Sequence, residues 1–218
     1  MSRTAAFFDL DRTLIDVNSA ILWAFAERRH HGLALRQLGR VLYWGLLYHL
    51  SLVDVETAFN VGLAHYRSLP ARDLDRRIRD WFAREVQHRL RPGARPILQE
   101  HREAGHALVL LTSSSDIAAR AAAEAWGFDD WIANRLLLDG EGLVLGHCEL
   151  PLCFGAGKVA RAERWADHHG VALDESFFYS DSFTDLPMLE RVGQPRVVAP
   201  DPRLRRVARK RGWPILRW

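Results

Sequence analysis

Asp9 and Asp11 stand one residue apart where the apolar run of FFDLDRTLID (residues 7–16) gives out. Like charges at the end of a buried strand repel and lose water, so the pair needs a chemical reason. A carboxylate facing a cleft is ionised at neutral pH and is a usable nucleophile with no base to activate it. A second one, two residues on, lies on the same side of an extended chain and can protonate a leaving group. Two such anions share a pocket only with a compensating cation, because neighbouring like charges raise one pKa strongly. A hard divalent ion with oxygen ligands, Mg2+, meets that need, and Asp181 or Asp185 of YSDSFTD (179–185) offers further oxygens. Taken alone, DxDxT equally describes an Asp that caps a helix or turn.

Two more clusters carry chemistry. Thr112-Ser113-Ser114-Ser115 places hydroxyls and backbone N–H groups where a helix begins, which suits an anion. The same run also reads as an N-cap, and one residue can cap while another binds. Lys158 follows Gly-Ala-Gly at the start of a helical pattern, where a cation has the wrong sign for the helix dipole. Of 30 basic residues only Lys158 and Lys210 are lysine. Keeping a compact ammonium in so arginine-rich a chain argues for a point-charge role.

These residues need elements to hold them. Apolar runs at 4–10, 106–116, 176–185 and 194–201 read as buried strands that end in polar clusters. Helical patterns at 94–104, 116–127, 157–170 and 184–193 lie between them. Such alternation predicts an α/β fold, a parallel sheet flanked by helices, with ligands at the carboxyl ends of the strands. Residues 17–88 read as helical throughout, with Ile21, Leu22, Phe25, Leu42, Leu46 and Leu50 at helical spacing. They predict a cap inserted into a core formed by 1–16 and 89–218. Residues 136–150 alternate about Asp-Gly-Glu-Gly and predict a β-hairpin. The basic tail reads as a final helix followed by a short strand.

Composition narrows the function classes. The chain has 218 residues, is 48% hydrophobic, and carries a formal net charge of +3. No Arg/Lys stripe interleaved with aromatics is present, so nucleic acid is not an expected partner. Cys148 and Cys153 lack metal or redox spacing and read as free thiols of a reducing cytoplasm. The most apolar stretch, 41–53, is shorter than the ~18–20 residues that span a bilayer, leaving peripheral membrane contact as the only membrane role considered.

The ordered set Asp9-x-Asp11-x-Thr13, Thr112, Lys158 and Asp181-x-x-x-Asp185 resembles the haloacid dehalogenase superfamily of phosphohydrolases. The detail is closest to its phosphoserine-phosphatase-like branch (subfamily IB). NRLLLDGEGLVLGHCELPLCFGAGK and YSDSFTDLPMLE look like that branch's hairpin-to-lysine segment and metal loop. The resemblance implies a Rossmann-like core, an all-helical cap of the C1 type, and an Mg2+-dependent phosphomonoester hydrolase. It implies Asp9 as the nucleophile that forms an aspartyl-phosphate, and Asp11 as the acid and then the base. Thr112 and the Ser113 amide would hold phosphate oxygens, and Lys158 would neutralise charge. Asp9, the Asp11 carbonyl and Asp181 would hold the metal, with Asp185 behind them.

Two positions depart from phosphoserine phosphatases. Asn18 stands where those enzymes carry a Glu for the substrate ammonium, and Thr184 where they carry an Asn. The expected substrate is therefore a small or amphiphilic phosphomonoester other than phosphoserine. The aromatic cap residues Trp23, Phe25, Tyr43, Trp44 and Tyr48 keep a lipid-like phosphomonoester as the leading alternative. A phosphotransferase and a non-catalytic binding module are the readings of other classes.

Overall fold

The computed structural model describes residues 3–49 and 55–218. In chain order the first elements are β1 (Ala5–Phe8), α1 (Ser19–His31), α2 (Leu35–His49), α3 (Val55–Leu63), α4 (Ala71–Trp81) and α5 (Ala94–Glu103). Then come β2 (Ala107–Ser115), α6 (Asp116–Trp126), β3 (Asp130–Asn134), β4 (Leu136–Leu138), β5 (Val144–Cys148) and α7 (Ala156–His169). The last are β6 (Phe177–Ser180), α8 (Leu186–Arg191), β7 (Gln194–Val198), α9 (Pro202–Arg211) and β8 (Ile215–Leu216).

Six strands form one parallel sheet in the order β3-β2-β1-β6-β7-β8. β1 is central and buried on both faces, which is why its sequence is apolar without alternation. Ala6 and Phe8 join the core on one face, while Ala5 and Phe7 join the core on the other. Phe8 stacks on Tyr179 with ring centroids 4.4 Å apart, and Phe7 meets Trp165 of α7 edge-on at 5.6 Å. The chain runs from β1 outward through β2 to β3, then returns to start β6 on the other side of β1. That reversal opens a crevice at the carboxyl end of β1, where α/β sheets bind ligands.

β3 was not expected. Its segment begins Asp-Asp and carries a short apolar stretch, too little for a periodic signal. It forms because Asp129 accepts the Leu108 N–H at 2.7 Å, fixing the register at the edge of β2. The hairpin pairs β4 with β5, and Asp139 closes its turn by accepting the Glu141 and Leu143 N–H groups, each at 2.9 Å.

Between Ile15 and Leu90 the described residues hold four α-helices and shorter helical turns, with no strand. Ile15 and Leu90 themselves pair as an antiparallel bridge, and the Arg91 N–H donates to the Leu14 carbonyl at 2.8 Å. The helical segment thus leaves and returns at adjacent points. On α1 the core-facing residues are Ser19, Ala24, Ala26 and Glu27, whereas Ile21 and Phe25 face outward. Trp23 packs edge-on against Trp81 at 5.2 Å and donates to the Tyr66 hydroxyl at 2.7 Å. Tyr43 is exposed and Trp44 half-buried, while the side chains of Leu42, Leu46 and Tyr48, and all of Leu50, lie outside the described residues. Among the described residues no helix is long and apolar enough to cross a membrane.

Candidate active site

β1 stops at Phe8, so Asp9 is the first residue beyond the sheet, and its N–H donates to the Tyr179 carbonyl of β6 at 2.9 Å. Asp11 does not continue an extended strand as expected. The chain turns sharply over Leu10–Leu14, with Arg12 at φ +61°. Asp11 is carried to the start of α1, where its carboxylate accepts the Ser19 N–H at 2.9 Å. A tight loop, rather than the pleat of a strand, joins Asp9 to Asp11.

Lys158 is buried, 1% exposed, and lies inside the first turn of α7. Its Nζ lies 2.8 Å from Asp9 Oδ1 and 2.8 Å from Asp185 Oδ2. Two glycines before it make this position accessible. Gly155 adopts φ +51°, and a Cβ on Gly157 would lie 1.9 Å from the Leu152 carbonyl oxygen.

Asp181 follows β6 and shares a hydroxyl with Asp9. Thr13 Oγ1 lies 3.3 Å from Asp9 Oδ2 and 3.3 Å from Asp181 Oδ1, and it accepts the Asp181 N–H at 3.1 Å. Asp185 also accepts from the Ser180 hydroxyl at 2.7 Å. At the end of β2, Thr112 is buried and its hydroxyl accepts the Ser114 N–H at 3.1 Å, while Ser115 caps α6. Ser113 gives its carbonyl to Asn134, whose side chain also receives the Cys153 N–H at 2.7 Å.

The remaining candidates sit elsewhere in the local structure. Asn18 is the N-cap of α1, accepting the Ile21 N–H at 3.0 Å. Thr184 is exposed, with its hydroxyl 2.8 Å from that of Ser182. Thr13, Ser180 and Asn134 tie the cluster together and were not singled out for a role. Thr13 was visible as the last letter of DxDxT, whereas Asn134 lies in the unexpected strand and gave no signal.

Burial raises the Asp9 carboxyl, and the neighbouring Asp185 and Asp181 raise it further against the pull of Lys158. Burial, then Asp185, pushes Asp181 up to about 7. Burial also raises Asp11, opposed by its bonds to Ser19. Burial works against the Lys158 ammonium, yet Asp185 and Asp9 outweigh it and hold the proton. Three buried carboxylates thus share the cluster with one ammonium, which bonds two of them. That excess of negative charge, with oxygens of Asp9 and Asp181 converging on Thr13, suits a hard divalent cation. Among the described residues no three Asp, Glu, His or Cys side chains form a ready cage, so backbone or ligand oxygens would complete the coordination. Cys148 and Cys153 are free, buried thiols, each pushed up to about 12 by burial.

The model of the haloacid dehalogenase-like hydrolases matches residues 6–190. The chain belongs to that family. A Streptomyces azureus protein named "Inhibition of morphological differentiation protein" is 30% identical over 99% of this chain and 79% of its own length. A "Probable phosphatase" of Mycobacterium tuberculosis is 30% identical over 99% of this chain and 75% of its own length. A histidinol-phosphatase of Neisseria meningitidis is 26% identical, covering 98% of each chain. Among solved structures, a Bordetella pertussis protein of unknown function superposes with a TM-score of 0.90, at 28% identity and 99% coverage of both chains. A phosphoserine phosphatase carrying a phospho-aspartyl intermediate analogue shares the fold, with a TM-score of 0.68 at 20% identity, over 99% of this chain and 93% of its own. This haloacid dehalogenase-like chain is an enzyme, a phosphoric monoester hydrolase.

Proposed function

We propose that the enzyme hydrolyses a small phosphomonoester through a covalent phosphate ester on Asp9. The observation that carries this reading is the placement of Asp9 at the end of the central strand, its carboxylate 2.8 Å from a buried ammonium. An oxygen of Asp9 attacks phosphorus in line, the P–O bond to the leaving alcohol breaks, and Asp11 gives that alcohol its proton. Water, deprotonated by Asp11, then attacks the phosphorus, releasing inorganic phosphate and freeing Asp9. Lys158 and the polar end of β2, Thr112 with the Ser113 amide, balance charge on the phosphoryl oxygens. Asp9, Asp181 and the Asp11 carbonyl would hold Mg2+, with Asp185 orienting Lys158 behind them. The ion supplies positive charge for the attacking carboxylate and the phosphoryl group.

Residues 17–88 serve in this reading as a cap over the strand ends. Asn18 is spent on capping α1 and brings no negative charge, which supports a substrate other than phosphoserine. A lipid-like phosphomonoester is the second reading, favoured by the exposed Phe25, Leu35 and Tyr43 on α1 and α2. The test is turnover of p-nitrophenyl phosphate with Mg2+, with EDTA, and in Asp9→Asn. Metal-dependent release of phosphate that vanishes in the variant supports the reading. Absence of turnover by the wild type favours a binding module, and transfer to added alcohols favours a phosphotransferase.

A further inference from the structure

The loop between β6 and α8, residues 181–185, carries two carboxylates into the cluster with only one short helical turn of its own, Phe183–Asp185. Part of its backbone is held locally. The Ser180 hydroxyl accepts the Ser182 N–H at 3.2 Å, and the Ser182 carbonyl accepts the Asp185 N–H at 3.1 Å. Thr13 accepts the Asp181 N–H from the β1 side. The Asp181 carbonyl and the Phe183 N–H are met from a third direction, and by one residue.

Asp201 stands between β7 and α9. Its N–H donates to the Asp181 carbonyl at 2.9 Å, and its Oδ2 accepts the Phe183 N–H at 2.5 Å. Its Oδ1 accepts the Arg203 and Leu204 N–H groups at 2.7 and 2.9 Å, which makes it the N-cap of α9. Arg203 in turn lies over the Phe183 ring, with Cζ 4.1 Å from the centroid. Capping a helix needs one acceptor oxygen, and Asn or Ser supplies it as well as Asp does. A carboxylate alone offers two oxygens that both accept. The second oxygen is aimed at the loop and not at the helix, so capping does not account for it.

We infer that Asp201 is a positioning residue for the divalent metal, acting through Asp181. The inference rests on the reading of Asp181 as a metal ligand and extends it to a residue outside the loop. The Asp181 carbonyl and the Phe183 N–H belong to the two peptide units that flank Ser182. With both tied to Asp201, the planar units on either side of Ser182 are fixed. The direction in which Asp181 leaves the chain, towards the hydroxyl it shares with Asp9, is fixed with them. A loop held by Thr13 alone would have to order itself as the ion binds, and that lost entropy would weaken affinity. The effect of Asp201 therefore falls on metal affinity rather than on the chemical step.

The experiment separates the two oxygens. Asp201→Asn and Asp201→Ser keep a capping oxygen for α9 and lose the second acceptor. Half-saturation by Mg2+ is read from the rise in Tm across a Mg2+ titration and, independently, from turnover of p-nitrophenyl phosphate. Both variants are expected to need about tenfold more Mg2+ by either readout, with kcat at saturating Mg2+ within about threefold of the wild type. Ala208→Gly, which loosens α9 from its buried side, is the control. It should lower Tm and leave the half-saturating Mg2+ concentration where it was. An unchanged half-saturation in either Asp201 variant overturns the inference, and so does an equal shift in Ala208→Gly. A wild type whose Tm and turnover both ignore Mg2+ overturns the metal reading, and this inference with it.

Discussion

The Thr13 hydroxyl receives the Asp181 N–H at 3.1 Å and at the same time stands 3.3 Å from the Asp181 carboxylate. One small side chain from the loop after β1 therefore fixes both backbone and carboxylate of the loop after β6. Thr13 is fully buried, so Val can replace it in volume but not in bonding. Thr13→Val is expected to lower kcat on p-nitrophenyl phosphate about tenfold to a hundredfold and to weaken Mg2+ activation. It should also lose about 1–3 kcal/mol of stability to the unpaired buried groups. Steady-state rates across a Mg2+ titration, with urea denaturation, check this.

Lys158 tests whether a point charge is required. Its ammonium fits between two carboxylates at 2.8 Å each in a site 1% exposed, and a planar guanidinium has no space there. Lys158→Arg is expected to lose at least about a hundredfold in kcat. Lys158→Met should in addition cost about 3–5 kcal/mol, because it leaves a buried pair without its partner. Near-normal turnover by the arginine variant would refute the placement of this lysine in the chemistry.

Metal dependence has a readout besides rate. Asp9, Asp181 and Asp185 are buried in one cluster with a single ammonium, and in the proposed reading a divalent cation would relieve their mutual repulsion. Millimolar Mg2+ is expected to raise Tm by several degrees, EDTA to reverse the shift, and Asp181→Asn to abolish most of it. Thermal denaturation of the wild type and Asp181→Asn, with and without Mg2+, decides the point. An unchanged shift in Asp181→Asn would remove Asp181 from the metal site.

His101 sets a pH dependence far from the chemistry. It is buried on α5, with its ring nitrogens 2.9 Å from the Tyr179 hydroxyl and 2.8 Å from His106 Nδ1. Burial, helped by His106 and Arg196, lowers it from the ordinary 6.5 to about 4. The folded protein therefore binds fewer protons than the unfolded chain between those values, and stability rises with pH across that window. The contribution is fully present above pH 6.5 and lost as pH falls towards 4, up to about 3 kcal/mol. Urea denaturation at pH 5 and pH 7.5 should show the loss in the wild type and a smaller one in His101→Gln.

Gly157 connects a backbone contact to the buried lysine. Gly157→Ala puts its Cβ 1.9 Å from the Leu152 carbonyl, so α7 must shift where it presents Lys158. The expected result is a loss of about 2–4 kcal/mol together with a fall in kcat, measured by denaturation and p-nitrophenyl phosphate turnover. Gly170→Ala, at the other end of the same helix with nothing within 4 Å, should affect stability alone.

The parallel sheet was legible because buried strands such as β1 and β6 are unbroken apolar runs that stop at a polar residue. Lys158 stood out because the chain spends arginine almost everywhere else. β3 was hidden because its order comes from Asp129 bonding a neighbouring strand, a tertiary event with no periodicity. The path of Asp11 was hidden for a similar reason. DLDRT reads as extended, and the left-handed backbone of Arg12 turns the following chain back so that Ser19 reaches the second carboxylate. Ile21 and Phe25 keep helical spacing yet face outward, while Ser19, Ala24, Ala26 and Glu27 are buried and Leu22 and Trp23 pack against the core.

The Ile15–Leu90 bridge has a consequence for how such an enzyme can diversify. With exit and entry clamped side by side, the intervening segment behaves as a closed appendix. Leu74, Ile78, Trp81 and Phe82 share one core with Phe8 and Leu110, so exchange is expected at positions of the segment outside that shared core. Selectivity can then drift on the appendix while the reactive groups stay anchored below.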